Sequence, residues 1–211
     1  MNTYKWIIIL NKFYLKIEKE LLNRKKLFIE DMSSSNQSKN ESIIDQKYKI
    51  AAVLFPLIEK NKNIYVILTT RSKDVGSHPG QVCFPGGKFD KKDKNIVNCA
   101  KREAFEEVGI KERQIKILGE IDQCITGTNY LVTPILASIR SNFIPKIQIS
   151  EVEDIFEVPL DFFVDKNNLK RKNAEYKGKN YMYYQYDWKD KRIWGSTARM
   201  IVNFCEIMKL Y

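Results

Sequence analysis

The chain has 211 residues, 44% of them apolar and 12% aromatic, enough for one domain with a real core plus an extension. Its formal net charge of +10 comes from lysines scattered through loops, as between positions 166 and 179, and not from one dense basic tract, so no specific nucleic-acid partner is expected. The four cysteines, at 83, 99, 124 and 205, show neither CxxC pairing nor zinc spacing, which leaves reduced thiols in a cytoplasmic compartment as the simple reading.

Residues 1–32 read as an N-terminal extension of helical character, with Trp6 to Leu10 apolar and Leu21, Leu22, Leu27 and Phe28 further on. The apolar run falls far short of the ~20 residues of a spanning helix, so no transmembrane segment is expected. An amphipathic helix docked on the domain or on a membrane is the expectation. No clear mitochondrial presequence is present, and the final Met208-Lys209-Leu210-Tyr211 is not a peroxisomal SKL-type signal. Residues 33–46 are rich in serine and asparagine and read as a flexible linker.

The domain proper is expected over 47–211. Ile50–Ile58 and Ile64–Thr70 are apolar and β-branched, as strands are. Pro85-Gly86-Gly87 is a turn or loop signal. Asn95 to Val108 contains neither Gly nor Pro and predicts a helix, with Asp93 or Asn95 as cap and Gly109 at its C-terminal end. Ile115–Ile125 and Tyr130–Ile139 predict two strands around Thr126-Gly127, Val152–Val158 a further strand, and Asp161–Val164 a short turn or helix. Tyr176–Trp188 predicts a hairpin across residues 177–180. Its tyrosines 181, 183, 184 and 186 would pack in the sheet or stack on an adenine. Ser196–Leu210 predicts a closing helix, with Ala198, Ile201, Val202, Cys205 and Met208 at helical spacing. His78 is the sole histidine and reads as a loop residue near a turn.

The chemistry concentrates in the helix after the glycine pair. Arg102, Glu103, Glu106 and Glu107 place three carboxylates and a guanidinium within six positions. At about 100° per residue Glu103 and Glu107 point nearly the same way and Glu106 lies on the adjoining edge, with Val97, Ala104 and Val108 on another side. Like charges at i,i+3 and i,i+4 cost about 0.2–0.5 kcal/mol per pair. A divalent cation would offset that cost, and hard oxygen ligands in this number suit Mg²⁺ or Mn²⁺.

These residues resemble the signature of the Nudix hydrolases: a glycine, five residues, a glutamate, seven residues, then Arg-Glu-aliphatic-x-Glu-Glu-x-Gly-aliphatic. Gly87 fits the first position, and Arg102, Glu103, Ala104, Glu106, Glu107, Gly109 and Ile110 fit the last part. Asp93 stands where the glutamate would be, one residue further from the arginine than the pattern has it, and its role is open. Upstream, Leu68-Thr69-x-Arg71-Ser72, Gly80 and Phe84-Pro85-Gly86-Gly87 resemble the extra motif of the coenzyme A diphosphatase branch, with Gly76 where that motif carries arginine. Asp90 and Asp93, Thr128 to Pro134, Glu151 to Leu160 and Trp194-Gly195-x-Thr197-Ala198 also resemble this branch, so the likeness runs from about Ile50 to Met208.

The resemblance implies an α/β/α sandwich around a mixed sheet and a metal-dependent hydrolase of phosphoric anhydride bonds. Its substrate would be coenzyme A or acyl-CoA, cut to 3′,5′-ADP and (acyl-)4′-phosphopantetheine. Glu103 and Glu107 would be the main metal ligands, with Glu106 a third ligand or the base and the Gly87 carbonyl a further ligand. Arg102 would pair with a carboxylate of its own helix and fix its rotamer. Glu151 or Glu153 is a distal candidate for general base, and Arg71, Gly86, Gly87 and Lys88 are candidates for substrate contact. The partner would be a small-molecule nucleotide; a homodimer is compatible with the sequence. Another nucleoside diphosphate derivative (ADP-ribose, a dinucleotide or an RNA cap), or a non-catalytic nucleotide-binding or RNA-binding role, are the alternatives.

Overall fold

The computed structural model describes residues 3–31, 48–76, 78–176 and 179–211. The serine-rich segment 33–46, expected as a linker, and the hairpin turn at 177–178 lie outside the described residues. Helix α1 spans Thr3–Leu22 and is followed by strands β1 (Phe28–Glu30), β2 (Lys49–Lys60), β3 (Asn63–Arg71), β4 (Val82–Cys83) and β5 (Gly86–Lys88). Helix α2 (Ile96–Val108) leads to β6 (Ile115–Glu120), β7 (Gln123–Ile125), β8 (Tyr130–Ile139) and β9 (Val152–Pro159). A short α3 (Leu160–Val164), strands β10 (Lys170–Tyr176), β11 (Lys179–Trp188) and β12 (Lys191–Trp194), and helix α4 (Gly195–Ile207) complete the chain.

The main sheet is mixed. Its strand order is β1-β7-β8-β2-β3-β4, with β5 on β2, β6 on β8 and β9 on β3. At its centre β2 and β8 run parallel over ten residue pairs, from Lys49–Tyr130 to Ile58–Ile139, and both strands are largely buried, as parallel strands covered on two faces are. Period-two alternation divides the side chains between two cores. Ala52, Leu54, Ile58 and Ile67 face Cys99, Ala100, Ala104 and Val108 of α2. Phe55, Leu57, Val66 and Leu68 face α1, α3, α4 and the small sheet β10-β11-β12. The result is the sandwich that the sequence suggests, with a three-stranded sheet added to one layer.

The structure corrects several readings of the sequence. Residues 115–125 form two strands. The break at Ile121-Asp122 has a physical cause: Asp122, 2% exposed, turns inward to take a bidentate ion pair from Arg24 at 2.7 and 2.9 Å. It also accepts the Leu27 N–H at 2.7 Å and the Asn203 amide at 2.8 Å. Burial alone would raise this carboxyl; Arg24, Leu27 and Asn203 together hold it below its ordinary range. The clasp ties the N-terminal segment to the sheet and to α4. Helix α1 sets Ile17 and Leu21 into the core, and Leu21 lies where a Cβ on Gly119 (φ +151°) would fall, 2.8 Å away. Strand β1 then adds itself parallel to β7. Gly86-Gly87, read as a turn, is instead strand β5, paired with β2. Among the described residues no helix is long and apolar enough to cross a membrane.

Candidate active site

Helix α2 is fixed at both ends as its sequence predicts. Asn95, in extended backbone, caps the start by accepting the Asn98 N–H at 2.8 Å, and Gly109 closes the end in the left-handed region at φ 77°. Asp93 does not cap α2; its carboxylate accepts the Asp90 N–H at 2.8 Å in the capping box of the short turn Lys91–Asp93. It sits one turn earlier, 5% exposed, and receives Arg102 through Nε at 2.6 Å and a terminal nitrogen at 3.0 Å. Arg102 also pairs with Glu103 at 2.8 Å and Glu106 at 2.9 Å and donates to the Lys88 carbonyl at 3.3 Å. The expected pairing within the helix is therefore present, but the arginine's bidentate partner lies before the helix. The Arg102 guanidinium lowers the Asp93 carboxyl to about 2, and Asp93 in turn holds Arg102 firmly protonated. The extra residue between Asp93 and Arg102 is absorbed by a short turn over Lys91–Asp93 and by Lys94 at φ 65°.

The three glutamates occupy three environments. Glu106 is exposed and tied to Arg102. Glu103 is mostly covered, and desolvation raises its carboxyl above the ordinary range. Glu107, only 2% exposed, belongs to the buried side of the helix, not to a solvated acidic face. It accepts the Gly86 N–H at 2.9 Å. Burial pushes its carboxyl up to about 8, and the neighbouring Glu103 and Glu151 charges add to that effect.

Strand β5 passes directly over these carboxylates, and only glycine permits it. A Cβ on Gly87 would fall 2.6 Å from the Glu103 carboxylate carbon, and one on Gly86 would fall 2.4 Å from the Ala52 carbonyl oxygen. The Gly87 carbonyl is turned toward α2, where the Cys99 thiol approaches it at 3.8 Å.

The distal glutamates separate. A chain of backbone bonds runs from Gln148 N to Glu107 O, from Glu151 N to Gln148 O and from Ser72 N to Glu151 O, each 2.9 Å. It brings Glu151 close enough for its charge to raise both Glu103 and Glu107. Glu153 lies at the surface beside Lys73 at 3.6 Å.

On the other side of β5 opens a cavity of about 490 Å³. Arg71, Gly86, Gly87 and Lys88, all named from sequence as substrate contacts, line it together. His78 lines it too, from a loop in left-handed backbone at φ 55°. Ala51, Val53, Val82, Phe84 and Val132 make its apolar wall. Sequence reading did not place Asp31, Cys83, Tyr130 or Trp194 on it, because they come from the end of β1 and from β4, β8 and β12, segments of two sheets that only the fold brings together. None of tyrosines 181, 183, 184 and 186 reaches the cavity. Tyr186 is fully buried, edge-on to Phe163 at 5.0 Å, and Tyr183 is 9% exposed.

The donor set fits a divalent cation. Glu107 is a desolvated carboxylate held by a backbone N–H, Glu103 lies under strand β5, and burial pushes both toward protonation. Among the described residues no three acidic, histidine or cysteine side chains already converge as a closed cage; Glu103 and Glu106 are turned to Arg102.

Comparison with known proteins agrees with this geometry. The family model described as NUDIX domain matches residues 47–179. The chain is 39% identical over 151 residues to "Uncharacterized Nudix hydrolase NudL" of Photorhabdus laumondii, covering 72% of this chain and 80% of that protein. It is 32% identical over 157 residues to "Peroxisomal coenzyme A diphosphatase NUDT7" of Mus musculus, covering 72% and 66%. It is also 32% identical over 168 residues to "Nudix hydrolase 15, mitochondrial" of Arabidopsis thaliana, covering 76% and 59%. The matched region thus spans about two thirds or less of the mouse and plant relatives. The family match over residues 47–179, with these relatives at 32–39% identity, shows that the chain belongs to the Nudix family, hydrolases that act on phosphoric anhydride bonds.

Proposed function

We propose that the protein hydrolyses the diphosphate of coenzyme A or acyl-CoA, releasing 3′,5′-ADP and 4′-phosphopantetheine or its acylated form, with Mg²⁺ or Mn²⁺ as cofactor. The observation that carries this reading is the place of β5. Its residues Gly86 to Lys88 line the cavity on one side and touch the carboxylates of α2 on the other. The resemblance of the Leu68–Gly87 motif to the coenzyme A branch, and the mouse relative's name, favour coenzyme A within the family.

In this reading Glu103 and Glu107 hold the cation, with Glu106 and the Gly87 carbonyl as further ligands. The cation, when bound, neutralises phosphoryl charge and lowers the pKa of water. Arg102, anchored by Asp93, orients Glu103 and Glu106. Glu151 is the better placed of the two distal glutamates to accept a proton from water, since its charge is felt at both buried glutamates while Glu153 sits beside Lys73. Arg71 and Lys88 offer positive charge to the diphosphate from the cavity side. The four unpaired thiols support a reducing compartment such as the cytoplasm.

One observation favours a second substrate in the same chemistry. Gly76 has open space around it, so packing does not force glycine where the coenzyme A motif has arginine. A panel of coenzyme A, acetyl-CoA, ADP-ribose and a dinucleotide with either metal, followed by chromatography of the nucleotide products (3′,5′-ADP from the coenzyme A substrates, AMP from ADP-ribose), decides. Coenzyme A should be the best substrate; ADP-ribose cleaved while coenzyme A stays intact overturns the assignment.

A further inference from the structure

We infer that Trp194 is the platform on which the substrate's nucleobase stacks. The inference rests on the reading of the cavity as the nucleotide site, and goes beyond it by assigning the base an end of that cavity.

Three Phe, Tyr or Trp rings line the cavity, beside the His78 imidazole. Phe84 is 1% exposed and packs on Phe55 at 4.4 Å, so it belongs to the core. The Tyr130 ring carries the Lys49 ammonium at 5.6 Å, on the far side of the sheet from β4. Trp194 is half-buried at the junction of β12 and α4, next to the wall formed by β4. That junction is pinned, since the buried Thr197 hydroxyl donates to the Val82 carbonyl at 3.1 Å.

The indole is also braced. The Arg192 guanidinium lies 4.8 Å from the ring centre, and Tyr183 meets the ring edge-on at 5.6 Å and 68°. Arg192 is itself fixed, donating to Gln185 Oε1 and to the Tyr183 hydroxyl, each at 3.0 Å. A large aromatic ring braced by a fixed cation, with its side chain lining a cavity, suits sequence-tolerant base stacking. With the diphosphate at Gly86–Lys88 and Arg71, the base lies toward β4 and α4. The remaining arm then lies along Ala51, Val53 and Val132 toward Tyr130 and Asp31.

The test compares AMP with ribose 5-phosphate, which share the phosphate and sugar and differ by the base. Calorimetry on the full chain should give AMP at least about a tenfold lower Kd than ribose 5-phosphate, the scale of one stacked base. Trp194→Leu should cut that ratio below about threefold, while Trp194→Phe keeps most of it. A merely structural role for Trp194 would weaken both ligands alike and leave the ratio unmoved. In the unmutated protein, AMP but not ribose 5-phosphate should shift the Trp194 indole N–H resonance, a measurement that does not depend on the variants folding. An unchanged ratio in Trp194→Leu, no ratio in the unmutated protein, or an indole resonance indifferent to AMP overturns the inference. Coenzyme A left uncleaved in the substrate panel would overturn the proposed substrate and leave this result standing.

Discussion

Two carboxylates in this protein are equally buried and electrostatically opposite. Asp122 and Glu107 are each 2% exposed. Asp122 has a bidentate arginine, a backbone N–H and a side-chain amide, and its carboxyl stays below the ordinary range. Glu107 has the Gly86 N–H and two acidic neighbours, and its carboxyl rises to about 8. Burial is therefore not what separates the two. The surrounding charge does, since a buried group either receives its counter-charge from the protein or waits for one from outside.

The comparison breaks most visibly at the two residues themselves. Glu107→Gln should lower turnover by about three orders of magnitude, the upper part of what loss of one charge-stabilising group costs. Circular dichroism should show the fold intact, because the amide still accepts from Gly86. A variant that keeps full activity on every diphosphate would show that Glu107 holds no cation. Asp122→Ala should do the reverse. It leaves Arg24 facing a buried gap and should cost about 3 kcal/mol in denaturant unfolding, with kcat per folded molecule little changed. Loss of activity without loss of stability would sink the structural role of the clasp.

A smaller effect is expected at the anchor between the two patterns. Asp93→Asn removes the charge that positions Arg102, and should lower kcat per folded molecule by about 10–100-fold, through Glu103 and Glu106, beside any loss of stability. Activity of Asp93→Asn equal to the unmutated protein would make the ion pair incidental.

The pH dependence of stability separates the two carboxylates by sign. Glu107 is raised in the folded state from the ordinary glutamate value of 4.5 to about 8, so the folded protein holds a proton there that the unfolded chain has released. Its contribution favours folding at low pH and is lost as pH climbs from about 4.5 through about 8. Without metal, the melting temperature should fall across that interval, and Glu107→Gln should flatten the fall. Mg²⁺ or Mn²⁺ at 100 times its Kd should add about 2.7 kcal/mol, most visibly at the alkaline end. Asp93 acts oppositely: its carboxyl, lowered from 3.8 to about 2, favours folding above that range and loses its contribution as pH falls through it. A thermal scan that stays flat between pH 5 and 8 in metal-free buffer would contradict the buried-charge reading of Glu107.

The sequence alone fixed the helix from Asn95 to Gly109 and the central strands, because caps, glycine placement and runs of β-branched residues are local properties. It also placed Arg71, Gly86, Gly87 and Lys88 in one site by pattern. Three things were decided only by the tertiary structure. Glu107 reads as one of three clustered acids on the helix, and its burial is not legible until β5 covers it. Residues 115–125 read as one strand until Arg24, almost a hundred positions earlier, draws Asp122 inward. The cavity wall of Asp31, Tyr130 and Trp194 exists only once β1, β8 and β12 meet. Local sequence sets backbone preference and ligand chemistry. Burial, and hence the charge state of a carboxylate or the use of an aromatic ring, depends on which distant segments come to cover it.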